Sequence, residues 1–287
     1  MGGLGNQMFQ YAAGRALSLS LGVPFKLDLS WFDDMQGATP RRFMLNAFPI
    51  AAAEATPVEI ERTAYRKHNF VQKILRRRKR SGPYNIVEPS FNYWPGFTTL
   101  IAPAYLKGYW QQEQYFAAAA DIIRQDFLFP PFACAEAIEL ADQIKSSPSA
   151  VAVHIRRGDY IEDKAICKVH GICSPAYYEK ALQTLAVQLD SPLRLFLFTD
   201  DPAWVRTNFE AQGYPLTVID IPEHQDNPWH DMHLMSLCQH HIIANSSFSW
   251  WGAWLSGKHG QVCAPRRWFA EEAKKDDTPV PAAWMRL

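Results

Sequence analysis

The second half of the chain alternates short apolar runs with longer amphipathic runs, and this alternation restricts the fold more than any other feature. From Ser149 onward the runs typical of strands and helices are, in order, AVAVHI, PAYYEKALQTLAVQL, LRLFLFT, DPAWVRTNFEAQ, LTVID, DMHLMSLCQ, HHIIAN, SFSWWGAWLSG and QVCAP. The strands are apolar on both faces, as in a parallel sheet covered by helices on both sides. The alternation predicts an α/β fold with a doubly wound parallel sheet, in which ligands bind at the carboxyl ends of the strands.

The first half of the chain is less regular. A glycine-rich opening, GGLGNQ, leads into the amphipathic stretch MFQYAAGRALSLSLG, which is predicted to be a helix that ends at Gly22. The run FKLDLSW follows and predicts a strand. Because a turn of this kind normally follows a strand, we expect a strand before the glycines, whereas only Met1 precedes them.

The length of 287 residues suits two α/β domains. Pro130 and Pro131 lead into the helical run CAEAIELADQIKS, which ends in the polar segment SSPS. We therefore place the domain boundary after this helix, with residues 1–145 as the N-terminal domain and residues 146–287 as the C-terminal, Rossmann-like domain.

Charge and cysteine content exclude several classes of protein. The 29 basic and 29 acidic residues leave no net charge, so no global attraction to nucleic acid is expected and any anion site must be built locally. The five cysteines are odd in number and lack CxxC spacing, which indicates neither a disulfide framework nor a zinc site.

Localisation follows from the apolar runs and from one basic segment. No apolar run is long enough to span a membrane and no signal pattern opens the chain, so a cytoplasmic protein is expected. The basic run RRRKR at Arg76–Arg80 has two interpretations. It is a solvated loop, or it attracts the protein to the cytoplasmic face of a membrane or to an acidic acceptor.

The segment HIRRGDY, from His154 to Tyr160, closes the first predicted strand of the second half. Planar guanidinium groups stabilise the charge that develops on a departing diphosphate through paired hydrogen bonds. Adjacent residues of a strand point to opposite faces, so we assign the phosphate to Arg156. Arg157 is either a second clamp or a partner of Asp159, and a structural Arg–Asp pair at the strand end is the alternative for the whole motif.

The segment ANSSFS, from Ala244 to Ser249, places hydroxyls and free N–H groups at the start of a helix, where anions bind. Ordinary capping of the helix by Ser246 or Ser247 explains the same residues. The opening GGLGNQ is similarly ambiguous. Asn6 and Gln7 either bind sugar hydroxyls or phosphate, or form a tight turn with a polar cap.

Acidic and histidine residues offer further candidates. Asp231 begins a helix, so it either accepts hydrogen bonds from a guanine edge or simply complements the helix dipole. Asp200 and Asp201 close the strand LRLFLFT, and capping of the next helix explains them better than a metal site does. The clustered histidines His230, His233, His240 and His241 lack the carboxylates or thiols of a zinc site and are expected on the surface or in the core.

Taken together, these motifs resemble one known family. The matching segments are GGLGNQMFQYAAGRALS, LKGYWQQEQYF, HIRRGDY, CSPAYYEKAL, FTDDPAWV and DMHLMSLCQHHIIANSSFSWWGAWL. Their order and spacing over nearly the whole chain resemble the bacterial α-1,2-fucosyltransferases of glycosyltransferase family 11. That family is similar to the protein O-fucosyltransferases and the α-1,6-fucosyltransferases in its His-x-Arg-Arg segment and late Ser-Ser pair.

The resemblance implies a GT-B fold of two facing Rossmann-like domains, with GDP-L-fucose as the donor substrate and no cofactor or metal. It implies inverting transfer of fucose to the 2-hydroxyl of a galactose-terminated acceptor, which is lipid-linked in one version of this expectation. Arg156 would contact the diphosphate. The implied substrate-binding residues are Asn6, Gln7, His154, Arg157, Asp231, Asn245, Ser246, Ser247 and Phe248.

A single displacement accounts for inversion, and we expect stabilisation of the leaving diphosphate by Arg156 to lower the barrier most. A general base would be Asp159, or next Glu162. The alternatives are a related enzyme with another acceptor or linkage, and a truncated binding protein that has lost activity.

Overall fold

A computed structural model of the protein describes residues 1–33, 41–65, 83–157, 164–189, 191–224, 226–257 and 260–287. The chain forms two compact units, Met1–Leu128 and Phe129–Leu287. The predicted boundary at residue 145 is therefore too late. The helix Ala135–Ser146 belongs to the second unit because its buried residues pack there against Phe196 and Phe198 of the sheet.

The described helices are α1 (Leu4–Leu21), α2 (Pro57–Ala64), α3 (Ala120–Asp126), α4 (Ala135–Ser146), α5 (Lys164–His170), α6 (Pro175–Gln188), α7 (Pro202–Asn208), α8 (Trp229–Leu237) and α9 (Ser247–Leu255). The described strands are β1 (Lys26–Leu27), β2 (Ala53–Glu54), β3 (Asn85–Val87), β4 (Tyr105–Lys107), β5 (Ala150–Ile155), β6 (Arg194–Thr199), β7 (Leu216–Val218), β8 (His240–Ile242), β9 (Val262–Ala264) and β10 (Met285–Arg286). Among these residues, no helix combines the length and the apolar character needed to cross a bilayer.

The first unit is organised around α1. This helix begins at Leu4, within the glycine-rich opening, and ends, as predicted, at Gly22, whose φ of 64° is left-handed. The expected strand FKLDLSW is reduced to the two residues of β1, which pair in parallel with β2, and β3 pairs in parallel with β4. Buried Tyr11 donates a hydrogen bond to Asp126 at 2.7 Å, which ties α1 to α3.

The second unit contains one six-stranded parallel sheet in the order β10-β9-β8-β5-β6-β7. All six residues of the central strand β5 are buried. Val151, Val153 and Ile155 pack against α6 on one face, and Ala150 and Ala152 pack with α4 and α8 on the other. The predicted doubly wound sheet is therefore confirmed.

The α/β class with mainly parallel sheets, expected of a GT-B-like protein, is likewise confirmed, since every strand pair among the described residues is parallel. The terminal strand β10 was not predicted. It contains only two residues, too few to show a periodic pattern.

Candidate functional site

The carboxyl ends of β5 and β6 bring two arginines and two aspartates together. The strands pair in register to their last residues, where Ile155 lies opposite Thr199. The residues that directly follow the two strands form an ion pair, in which Arg156 Nε lies 3.1 Å from Asp200 Oδ2. The other oxygen of Asp200 accepts a hydrogen bond of 2.8 Å from the main-chain N–H of Arg157. Asp200 therefore holds both the side chain and the main chain of the arginine segment.

Arg157 has a different set of partners from Arg156. Its guanidinium carbon lies 3.5 Å from the centre of the Trp204 ring, and its Nε is 3.6 Å from Asp201 Oδ2. Asp201 also accepts a hydrogen bond of 3.1 Å from the N–H of Trp204 and caps α7, which confirms the prediction of a helix cap. The alternative partner Asp159 lies outside the described residues, so its expected role as a base stays a prediction.

His154 is the buried residue two positions before Arg156 on β5. Only 5% of its surface is exposed, and its ring centre lies 5.8 Å from that of Phe248. Burial, helped by the positive charge of Arg156, lowers the pKa of His154 to about 3. The imidazole is therefore neutral near pH 7. Its Nδ1 is buried and has no hydrogen-bond partner in the described part of the chain.

The start of α9 lies beside this histidine, because β8, which precedes α9, is the neighbour of β5 in the sheet. The Ser246 side chain accepts a hydrogen bond of 3.3 Å from the N–H of Phe248 and caps the helix, so the capping interpretation is confirmed. Ser247 and Phe248 follow in the first turn and are partly exposed. The tryptophans of this helix, Trp250, Trp251 and Trp254, lie in the core as predicted.

Asn245 joins neighbouring loops by hydrogen bonds, and the substrate-binding role expected of it stays a prediction. Its amide nitrogen donates hydrogen bonds of 2.7 Å to the carbonyl of His170 and 3.2 Å to that of Trp268. Its oxygen lies 3.5 Å from the Cys173 sulfur, whose thiol donates to it. The side chain is 4% exposed, and these internal bonds fix the surrounding segments.

Asp231 lies in the first turn of α8, as the sequence predicted. Its Oδ1 is 2.5 Å from Nδ1 of His224, whose side chain is 3% exposed, whereas that of Asp231 is 27% exposed. Sequence reasoning missed His224, which follows β7 in a short turn and carries no motif. Of the clustered histidines, His230, His240 and His241 are buried, which confirms core positions for these three.

In the first unit, most of the glycine-rich opening is the first turn of α1, whose N-cap Gly3 receives no side-chain hydrogen bond. The buried side chain of Gln7 donates hydrogen bonds to the carbonyls of Gly2 at 3.0 Å and Arg42 at 2.8 Å, and accepts one of 2.9 Å from the N–H of Met44. These bonds tie α1 to the segment around Arg42 and Met44, and the substrate-binding role expected of Gln7 stays a prediction. Asn6 accepts a hydrogen bond of 2.7 Å from Gln111, and its expected contact with fucose stays a prediction.

Two further features describe the surroundings of the strand ends. Within the described ranges, no three His, Cys, Asp or Glu side chains are grouped so as to hold a metal ion. Arg157, Trp204 and Cys173 also line a cavity of about 440 Å³ beside α6 and α7.

Known proteins of one family are similar to most of this chain. The profile described as glycosyl transferase family 11 matches residues 57–287. An alpha-1,2-colitosyltransferase of Escherichia coli is 33% identical, with 100% of this chain and 96% of the relative covered. The O-antigen biosynthesis glycosyltransferase WbnK of Escherichia coli is 32% identical, over 100% of this chain and 98% of the relative.

Two further similarities are more distant. The galactoside 2-alpha-L-fucosyltransferase SEC1 of Bos taurus is 31% identical over 39% of this chain and 30% of its own length. A crystal structure of NodZ alpha-1,6-fucosyltransferase soaked with GDP-fucose aligns with 88% of this chain and 89% of its own at 16% identity, and its TM-score of 0.46 is too low to support conclusions. The family profile and the long relatives define the class, which is that of the glycosyltransferases. Within it, the chain belongs to glycosyl transferase family 11.

Proposed function

We propose that the protein is a galactoside α-1,2-fucosyltransferase. It transfers L-fucose from GDP-L-fucose to the 2-hydroxyl of a galactose residue in a glycan, with inversion and without a metal ion. The observation that carries the proposal is the Arg156–Asp200 pair at the carboxyl end of the central strand, in a chain of family 11 whose relatives include α-1,2-transferases. Arg156 is the cation at the place where doubly wound sheets bind their ligands.

The leaving group determines what this site has to do. As the bond from fucose C1 to the diphosphate breaks, negative charge accumulates on the phosphate oxygens. Asp200 binds Nε of Arg156, and the terminal nitrogens of a guanidinium carry further N–H donors in a planar fork that matches a phosphate. A guanidinium held in place before the reaction stabilises this charge without reorganisation, which is the largest contribution that such groups make to catalysis.

The remaining donor contacts follow the order of the strands. The hydroxyls of Ser246 and Ser247 at the start of α9 are assigned to the phosphates, and neutral His154 lies against Phe248 of this helix. Asp231 accepts hydrogen bonds from the guanine edge. The acceptor hydroxyl attacks fucose C1 from the face opposite the diphosphate, and its proton passes to a base, for which Asp159 is proposed.

A second donor is supported by one comparison. The relative that is 33% identical over the whole of this chain carries the name of a colitosyltransferase. Colitose is L-fucose without its 3-hydroxyl, so a site that binds one of these sugars needs only a small change to bind the other. GDP-colitose is therefore the alternative donor, with the same linkage and the same use of Arg156.

One assay tests the proposal. The purified protein is incubated with a β-galactoside and either GDP-fucose or GDP-colitose, in the presence and absence of a chelator, and the product linkage is determined by NMR. We expect chelator-resistant transfer from GDP-fucose and an α-1,2 linkage. Preference for GDP-colitose would select the second donor, another linkage would overturn the acceptor position, and GDP binding without transfer would indicate a binding protein.

A further inference from the structure

We infer that His224 is a positioning residue that fixes the Asp231 carboxylate for recognition of the donor nucleobase. The inference rests on the proposed function, which assigns Asp231 to the guanine edge. His224 ends the short turn Pro222–His224 after β7, and Asp231 lies in the first turn of α8. The contact between His224 Nδ1 and Asp231 Oδ1, at 2.5 Å, links these two elements.

The two residues differ in exposure, and the difference shows which of them can meet a ligand. The His224 side chain is 3% exposed and the Asp231 side chain 27% exposed. One oxygen of Asp231 is thus anchored to a buried group. In the described part of the chain, no hydrogen-bond partner is found for the other oxygen. A carboxylate fixed on its inner side and accessible on its outer side is suited to accept hydrogen bonds from a planar base.

Ring stacking fixes the direction of the His224 side chain. Its ring lies 4.7 Å from that of His230 with an angle of 10° between the planes. The His230 ring in turn lies 3.6 Å from that of Trp229. Rotation of the imidazole about its side-chain bonds would break this stack and the contact with Asp231 together. The stack therefore holds Nδ1 in the direction of the carboxylate.

The surroundings of the second ring nitrogen of His224 indicate which nitrogen carries the proton. Nε2 is buried and has no hydrogen-bond partner among the described residues. A proton on Nε2 would be a buried donor without an acceptor, which is unfavourable. The tautomer with its proton on Nδ1 fits these surroundings, and it donates that proton to Asp231 Oδ1. Each oxygen of the carboxylate has a further lone pair for the ligand.

The contact with His224 orients the Asp231 carboxylate, which the helix dipole alone does not do. An acidic residue in the first turn of a helix is stabilised by the N-terminal N–H groups without any buried partner. A buried imidazole aimed at the carboxylate adds directional control. Guanine has an N1–H and an exocyclic amine side by side, so it gains most from a carboxylate of fixed orientation, whereas hypoxanthine lacks the amine.

The test measures base discrimination directly. Dissociation constants of GDP and IDP are measured by calorimetry for the wild type, for His224→Leu, which removes the donor, and for His224→Asn, whose amide nitrogen can take the place of Nδ1–H. We expect the wild type to prefer GDP and His224→Leu to lose at least about tenfold of that preference, the size of one hydrogen bond to a charged group. His224→Asn should restore most of it.

The matched control is His233→Leu, which changes a neighbouring histidine that stacks on Phe132 at 4.2 Å and should leave the GDP preference unchanged. A folded His224→Leu protein that keeps the wild-type preference would overturn the inference. If that variant does not fold, His224→Gln decides, since its longer amide should not reproduce the Nδ1 contact, and retention of the preference would again overturn the inference. A wild type that does not bind GDP would instead overturn the proposed function.

Discussion

Two consecutive arginines at the end of β5 have contrasting surroundings. Arg156 is anchored by Asp200, and its charge acts on the buried, neutral His154 that lies against Phe248. Arg157 lies over the Trp204 ring and lines the cavity beside α6 and α7. The two side chains therefore have different partners although they are adjacent in the chain.

The contrast shows how the end of one strand can direct two adjacent side chains to different partners. Alternation along β5 sends successive side chains to opposite faces of the sheet, and it continues one step beyond the strand. Asp200 binds Arg156 through one oxygen and the main chain of Arg157 through the other, so a single carboxylate fixes the point where the two directions diverge. We accordingly assign charge stabilisation to Arg156 and structural support to Arg157.

The largest expected effect is that of Arg156→Ala. Loss of the guanidinium should lower kcat/KM by about 100-fold to 1000-fold, because removal of one preorganised charge donor costs roughly 3–4 kcal/mol of transition-state stabilisation. Steady-state kinetics with GDP-fucose and a galactoside measure the loss, and thermal melting serves as the control for folding. Wild-type turnover in this variant would remove Arg156 from the mechanism.

Asp200→Asn is expected to have the next largest effect. The amide can still accept the Arg157 N–H, but it no longer pairs with the Arg156 cation, so the guanidinium loses its anchor. We expect kcat to fall by roughly 10-fold to 100-fold, since positioning of a catalytic group contributes less than the group itself. Asp201→Asn, which alters the cap of α7, is the matched control and should change kcat less. If Asp200→Asn and Asp201→Asn lost kcat equally, the distinction between the roles of Arg156 and Arg157 would be contradicted.

Acid should destabilise the protein through protonation of His154, which is buried near Arg156. The pKa of His154 is lowered from the ordinary value of 6.5 to about 3, so between these pH values the unfolded chain binds a proton that the folded chain does not. The free energy of unfolding is therefore highest above pH 6.5 and falls as the pH drops, by up to about 1.4 kcal/mol per pH unit from this residue. Urea denaturation between about pH 7 and pH 4 measures the slope.

The matched comparison for the acid effect is His154→Phe, which cannot take up a proton. Its slope should be shallower than that of the wild type. Some slope should remain, because burial also lowers the pKa of His233 to about 4. An unchanged slope in His154→Phe would show that the acid sensitivity arises elsewhere.

Local patterns predicted the elements of the second unit well, because its strands and helices each carry a strong periodic signal. The caps at Asp201 and Ser246 could also be predicted, since capping depends on residues only two or three positions apart. The pairing of Arg156 with Asp200 depends on the register of β5 against β6, which no local pattern encodes. The contact of His224 with Asp231 likewise depends on how a turn meets a helix.

The partners of two amide side chains could not be predicted from the sequence. Gln7 and Asn245 both lie beside a helix start, where a polar side chain can bind either a ligand or the protein's own main chain. The neighbouring residues in the sequence do not show whether such a side chain binds a ligand or the main chain. In the structure, main-chain groups of distant segments, at Arg42 for Gln7 and at Trp268 for Asn245, take up the amides. Such tertiary partners cannot be read from the neighbouring residues.

The smallest expected effect is that of Arg157→Ala, and it tests the contrast between the two arginines most sharply. The variant loses the contact with the Trp204 ring, which should cost about 1 kcal/mol of folding stability, whereas kcat/KM should fall less than about tenfold. Thermal melting and the same kinetic assay measure both quantities. Because Lys lacks the planar group that stacks on the indole, Arg157→Lys should recover little of the stability. If Arg157→Ala melts like the wild type but is as inactive as Arg156→Ala, both arginines hold the diphosphate and the assignment of support to Arg157 is wrong.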